Sequence, residues 1–194
     1  MIFIYSKISE PSANTQKIIS VNTKNQINIF IVDDNKVFTL ALKADIEMAF
    51  KNMFIKIYTF ETGESCIERF RRVMPELVIL DFYLNSKIAD AVDGIRVLDW
   101  IKKENNKTDV IMLTSNDHID IALESLKHGA SDYVVKTETQ FKKINYSLLN
   151  LFKTREAKTE ARRYKRLLFV LFFFVLIFMA GIKVVQMFAP HGAP

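Results

Sequence analysis

From Ile27 onward the chain alternates between two hydrophobic rhythms. Ile27-Asn28-Ile29-Phe30-Ile31-Val32 is a short β-branched run of the kind that forms a buried parallel strand. Asp33-Asp34-Asn35 ends it, and Val37, Leu40, Ala41, Ala44 and Met48 follow at the spacing of a helix's apolar face. The pattern then repeats. Strand-like runs recur at Phe54–Phe60, Leu77–Leu80, Val110–Thr114 and Tyr133–Val135, with helical patterns at roughly 62–73, 94–105, 118–128 and 140–166. Five strands alternating with five helices predict an α/β domain: an open, doubly wound parallel sheet with helices on both faces. Residues 1–26 are mostly polar and without sustained period, which predicts a flexible N-terminal tail. Ile2-Phe3-Ile4-Tyr5 is too short for a signal-peptide core.

A different pattern closes the chain. Leu167 to Ile182 is a sixteen-residue stretch without a charge, apolar on every side of a helix. Sixteen helical residues reach only about 24 Å, short of a hydrocarbon core of roughly 30 Å. Continuing to Ala189 gives about 34 Å, with Lys183 snorkelling toward the far interface. The expected organisation is therefore a globular domain over 27–152, a basic juxtamembrane helix over 153–166, a transmembrane helix over 167–189 and a short tail over 190–194.

Charge sharpens that picture. The 194-residue chain carries a net +5, which invites a nucleic-acid reading. Between Gln140 and Arg166, however, nine basic residues face two acidic ones, so the rest of the chain is at −2. Basicity confined to a stretch beside an apolar run fits anionic lipid headgroups better. Arg162, Arg163, Lys165 and Arg166 precede the run, whereas only Lys183 and His191 lie in or after it. The positive-inside rule then puts the globular domain in the cytoplasm and the C-terminus across the membrane. The single Cys66 can form no internal disulfide, and its apolar neighbours predict a buried structural thiol in a reducing compartment. Ala157, Ala161, Tyr164 and Leu168 recur at coiled-coil spacing, a weak seam for a homodimer. A solvated basic helix is the preferred reading of that segment.

The candidate chemistry lies at the strand ends, where ligands bind in such folds. Asp33 and Asp34 close the first strand, Asp81 the third, Thr114 the fourth and Lys136 the fifth. Singly, each reads as a cap, a turn residue or a solvated charge. Together, three convergent carboxylates call for a hard divalent cation, Mg2+ above all. A lysine ammonium and a threonine hydroxyl beside them suit a phosphoryl group.

On these residues the chain from about Ile27 to Phe152 resembles a response-regulator receiver domain, the chemotaxis-regulator type. The matching stretches are Ile31-Val32-Asp33-Asp34-Asn35, Val78-Ile79-Leu80-Asp81, Asp93-Gly94, Met112-Leu113-Thr114-Ser115 and Gly129-Ala130-Ser131-Asp132-Tyr133-Val134-Val135-Lys136. The resemblance implies a flavodoxin-like sheet of strand order 2-1-3-4-5. It also implies that Asp81 is the phosphoacceptor and that Asp33 and Asp34, with Asp81, hold Mg2+. Thr114 and Lys136 would contact the phosphoryl oxygens, with the small Ser115 beside them. Thr114 and Tyr133 would be the switch pair.

Three departures stand out. The stretch from Asp81 to Asp93-Gly94 is five residues longer than the family's usual Asp-x-x-Met-Pro-x-Met-Asp-Gly and lacks the proline, and its Asp90 is expected in solvent. Thr137 replaces the proline usual after Lys136, so no cis peptide is assumed there. Tyr83 and Asn116 flank the path of a hydrolytic water, which makes them candidates for setting phosphate lifetime.

The expected function is phosphorylation by a histidine kinase or histidine phosphotransfer protein, followed by an altered affinity for an unknown protein partner at the membrane. Such a domain catalyses only its own phosphorylation and dephosphorylation, so it is not expected to be an enzyme. The competing reading is an unphosphorylated receiver-like adaptor, which the intact set of five residues argues against. A transcription factor is disfavoured because little chain follows the receiver to build a helix-turn-helix, so no nucleic-acid partner is expected. A hydrolase using an aspartyl phosphate would fit Asp81 but not the pattern around Thr114 and Lys136.

Overall fold

A computed structural model of the chain describes residues 26–84, 93–114 and 119–188. Five strands, β1 (Ile27–Val32), β2 (Ile55–Phe60), β3 (Leu77–Asp81), β4 (Asp109–Thr114) and β5 (Asp132–Val135), alternate with five helices. The helices are α1 (Lys36–Ala49), α2 (Gly63–Val73), α3 (Gly94–Glu104), α4 (Ile119–Lys127) and α5 (Gln140–Phe188). The strands pair in parallel in the order β2-β1-β3-β4-β5, the expected flavodoxin-like topology. Because β2 lies on one side of β1 and β3 on the other, the direction of winding reverses between β1 and β3, which opens a crevice at their carboxyl ends.

The two faces of the sheet explain why Ile29–Val32 of β1 and Leu77–Leu80 of β3 read as unbroken apolar runs. Phe30, Val32, Val78, Leu80 and Met112 pack into one buried cluster with Phe70 of α2 and Leu98 and Ile101 of α3. Ile29, Ile31, Ile79 and Ile111 are fully buried as well. A parallel sheet covered on both sides has no solvent face, so alternation disappears. Cys66 lies in the same cluster, where burial pushes its thiol up to about 12 and leaves it inert.

Two expectations need correction. The apolar stripe suggested for α1 is not its buried face: Val37 is 79%, Leu40 63% and Met48 71% exposed, and Ala41 and Ala44 are exposed too. Thr39, Leu42 and Ile46 are buried instead. Both sets have helical spacing, and the larger branched pair Leu42 and Ile46 wins the interior. Thr39 joins them because its hydroxyl donates to the Lys36 carbonyl at 3.0 Å and so brings no unpaired group inside. The second correction is at β2, which starts at Ile55. Phe54 is exposed, and its carbonyl accepts from the Ile27 amide at 2.8 Å as the chain enters the sheet.

The chain divides into two compact units, Met1–Leu149 and Asn150–Pro194. In the first, α5 begins with Ile144 and Leu148 fully buried. In the second, α5 continues without a break through the basic and apolar stretches. Every residue from Leu167 to Met179 is exposed within the chain. Among the described residues, this one helix is long and apolar enough to cross a membrane.

Truncation of Leu42 to alanine is expected to lower stability by about 2–5 kcal/mol, the range for a buried leucine. Leu40→Ser should change it by less than about 0.5 kcal/mol. Urea unfolding of the two variants checks the assignment of the α1 face, and the opposite ranking would overturn it.

Candidate functional site

The parallel register brings the predicted residues to one edge. Asp33 follows β1 directly, its amide bound to the Phe60 carbonyl at 3.0 Å. Asp81 is the last residue of β3 and pairs with Leu113 of β4. Thr114 ends β4, and its carbonyl accepts from the Lys136 amide at 2.7 Å, which anchors the residue after β5. Asp33, Asp81 and Thr114 are buried, whereas Asp34 is exposed at the rim.

Lys136 unites the cluster. Its Nζ lies 2.7 Å from Asp33 Oδ2 and 2.7 Å from Asp81 Oδ2. Asp33 Oδ1 is occupied separately, accepting from the Asn35 amide at 2.9 Å. Asp81 Oδ1, by contrast, is buried and has no hydrogen-bond partner. Burial pushes the Asp81 carboxyl up from 3.8 to about 6, and the Asp33 charge adds to this. The Lys136 ammonium and the Tyr83 backbone N–H act in the opposite direction. For Lys136, burial disfavours the charge, but Asp81 and Asp33 outweigh it and raise the pKa above its ordinary value.

One carboxylate oxygen each from Asp33, Asp34 and Asp81 come within 4.8 Å of one another. Three hard oxygen donors suit a small divalent cation such as Mg2+, and Asp81 also carries a buried oxygen without a partner.

Two contributors were not identified from the sequence. The Phe38 ring lies 5.1 Å from Lys136 Nζ and packs on Phe141 of α5 with ring centroids 5.6 Å apart. Its place gave a signal: Asn35 caps α1 by accepting from the Phe38 amide, so an aromatic in that first turn borders the end of β1. Gly94 is the other. A Cβ there would fall 2.5 Å from the Asp81 carbonyl oxygen and 2.8 Å from Phe82 Cα, so only glycine lets α3 start against the end of β3. Asp93 caps that helix through the Arg96 amide at 2.8 Å.

The remaining candidates sit at the margins. Tyr83 is 40% exposed and packs edge-on against Phe82. Tyr133 on β5 is likewise 40% exposed. Asn116, Ser115 and Asp90 lie outside the described residues, as does most of the long segment between Asp81 and Asp93. No cis peptide bond occurs among the described residues, so Lys136–Thr137 is trans.

Comparison with known proteins agrees with this geometry. The family model described as the response regulator receiver domain matches residues 29–145. The luminescence regulatory protein LuxO of Vibrio campbellii is 32% identical over 82 residues, which is 42% of this chain and 17% of LuxO. The regulatory protein AtoC of Escherichia coli is 27% identical over 108 residues, 56% of this chain and 22% of AtoC. The chain thus spans less than a quarter of the length of these relatives. Among solved structures, the signal receiver domain of a Vibrio parahaemolyticus LuxO repressor protein superposes with a TM-score of 0.58 at 25% identity, covering 71% of this chain and 97% of that one. The response regulator domain of Thermotoga maritima CheB gives 0.55 at 24% identity, covering 69% and 98%. This second likeness bears on the fold.

The raised Asp81 pKa has a consequence for stability. Above about pH 6 the folded chain holds an ionised carboxylate that burial disfavours, and below 3.8 that cost is gone. In metal-free buffer Asp81→Asn should therefore stabilise the fold by about 3 kcal/mol near pH 8, a gain that shrinks as the pH falls toward 4.5. Added Mg2+ should then stabilise the parent more than the variant. Urea unfolding at the two pH values reads both effects, and a gain independent of pH would contradict the assignment.

Proposed function

The chain belongs to the response regulator receiver family, and from that premise we propose that it is a phosphoacceptor of a two-component phosphorelay, tethered to a membrane by α5. The observation that carries this reading is Asp81 Oδ1, a buried carboxylate oxygen without a partner, on a residue whose other oxygen is held by Lys136.

The donor is a phosphohistidine on a histidine kinase or histidine phosphotransfer protein. Ionised Asp81 attacks phosphorus through Oδ1. An O–P bond forms, the P–N bond to the donor's imidazole breaks, and the electron pair returns to that nitrogen. Near neutral pH Asp81 is mostly ionised, because Lys136 opposes the effect of burial. Asp33, Asp34 and Asp81 would hold Mg2+, which when bound neutralises charge on the phosphoryl oxygens. Lys136 exchanges part of its hold on the two carboxylates for the phosphoryl oxygens, and the Thr114 hydroxyl donates to the same group. This chemistry acts on the chain itself and turns over no separate substrate.

The phosphoryl group adds close to two negative charges. Thr114 and Tyr133 read them: the hydroxyl moves toward the phosphate, and the half-exposed ring of β5 reorients to alter the surface offered to a downstream protein. Tyr83, with Asn116, governs hydrolysis. The Tyr83 ring shields the aspartyl phosphate and lengthens its lifetime.

The tether reading is supported by Leu167–Met179, apolar on all sides and exposed at every position. The basic residues before that stretch support a cytoplasmic side for the receiver, by the positive-inside rule.

Incubation of the full chain with Mg2+ and acetyl phosphate should add the mass of one phosphoryl group, absent in Asp81→Ala. An unlabelled parent would favour the adaptor reading. In the same assay Tyr83→Asn should lose label faster than the parent, and equal rates would remove Tyr83 from its role. Alkaline carbonate should leave the chain in the membrane pellet, and its release would contradict the tether.

A further inference from the structure

The charge of the second unit is sorted by side. Residues 153–166 lie within the unbroken helix α5 and carry seven cations and two carboxylates, a net +5. At about 100° per residue, Arg155, Lys158, Arg162, Lys165 and Arg166 fall within a single arc of about 100°. Glu156 and Glu160 lie on the opposite side, between Lys153 and Arg163, and there the charges cancel. The whole net charge of the segment therefore belongs to one stripe about 17 Å long. Lys158, Arg162, Lys165 and Arg166 are exposed, and Arg155 is half-buried.

A stripe of one sign over three turns matches an extended anionic surface better than a single carboxylate. It runs directly into Leu167, where the apolar stretch begins. We propose that this side of 153–166 binds anionic phospholipid headgroups and sets the direction in which α5 leans as it enters the bilayer. The inference rests on the tether reading and deepens it.

The geometry gives the stripe a purpose beyond orienting the span. Headgroup attraction decays over about 8 Å at physiological salt. On an upright helix only the cations from Arg162 to Arg166 would lie that close to Leu167, because Lys158 stands about 13 Å back and Arg155 about 18 Å back. Those two come within reach when the helix leans toward their side, with their long side chains extended to the surface. A lean the other way would press Glu156 and Glu160 toward like charge. Only one direction of tilt is favoured.

The test uses the full chain in phosphatidylcholine nanodiscs with a trace of spin-labelled phosphatidylglycerol or phosphatidylcholine, reading the fraction of each label immobilised by the protein. Phosphatidylglycerol should be enriched several-fold over phosphatidylcholine, and high salt should abolish the enrichment. Lys158→Gln with Arg162→Gln should lose most of it. Lys153→Gln with Arg163→Gln, the same change of charge on the opposite side, should keep it. Equal losses in both double variants would overturn the stripe in favour of bulk charge, and no enrichment in the parent would overturn lipid selection altogether. Binding of duplex DNA by the parent, lost in the first double variant and without lipid preference, would assign the stripe to nucleic acid. Failure to enter phosphatidylcholine discs at all would be a distinct result, since it removes the tether reading first and this inference with it.

Discussion

The Lys136 ammonium, 2.7 Å from both Asp33 and Asp81, is the contact that lets two carboxylates be buried together at one edge of the sheet. Removing charge from water is costly, and two like charges side by side would add to that cost. Lys136 is 103 residues from Asp33 in sequence and stands two strands from β3 and three from β1. With strands about 4.8 Å apart, only a long side chain can cross that distance. The strand order and the length of a lysine are thus conditions on each other. The same contact leaves a defined remainder: one buried Asp81 oxygen without a partner, in a site still rich in negative charge.

That remainder links structure to signalling. A fully satisfied carboxylate would be a poor nucleophile and a poor cation ligand. Here the ammonium holds Oδ2 and orients the carboxyl, while Oδ1 is left buried and without a partner. Phe38 extends the arrangement, since its ring touches both the Lys136 ammonium and Phe141 at the start of α5. A change in the hold of Lys136 therefore has an immediate neighbour on the helix that continues into the second unit.

The sheet and most of the candidate site were legible from the residues because their physics is local. Ile29–Val32 and Leu77–Leu80 are apolar at every position, as a strand covered on both faces must be, and each is followed by an aspartate that stops the run. The α1 face was not legible, since Val37, Leu40 and Met48 have the same helical spacing as Leu42 and Ile46. Only packing against the sheet decides between the two stripes. Phe38 was missed for a related reason: as a cation's neighbour it depends on where a lysine 98 positions later comes to rest. Gly94 stood in a recognised motif, but its steric role appears only when α3 is set against the Asp81 carbonyl. The apolar stretch after Arg166 declared itself by composition, and what surrounds it is a property of the solvent it meets.

Central to this account is the pairing of Lys136 with Asp81, and the carboxyl carbon of Asp81 reports it directly. A 13C-NMR titration in metal-free buffer should find Asp81 titrating near 6 in the parent. In Lys136→Met, where burial and the Asp33 charge act unopposed, the midpoint should move clearly higher. An unchanged midpoint, or a lower one, would show that Lys136 does not hold the Asp81 carboxylate and would contradict the account.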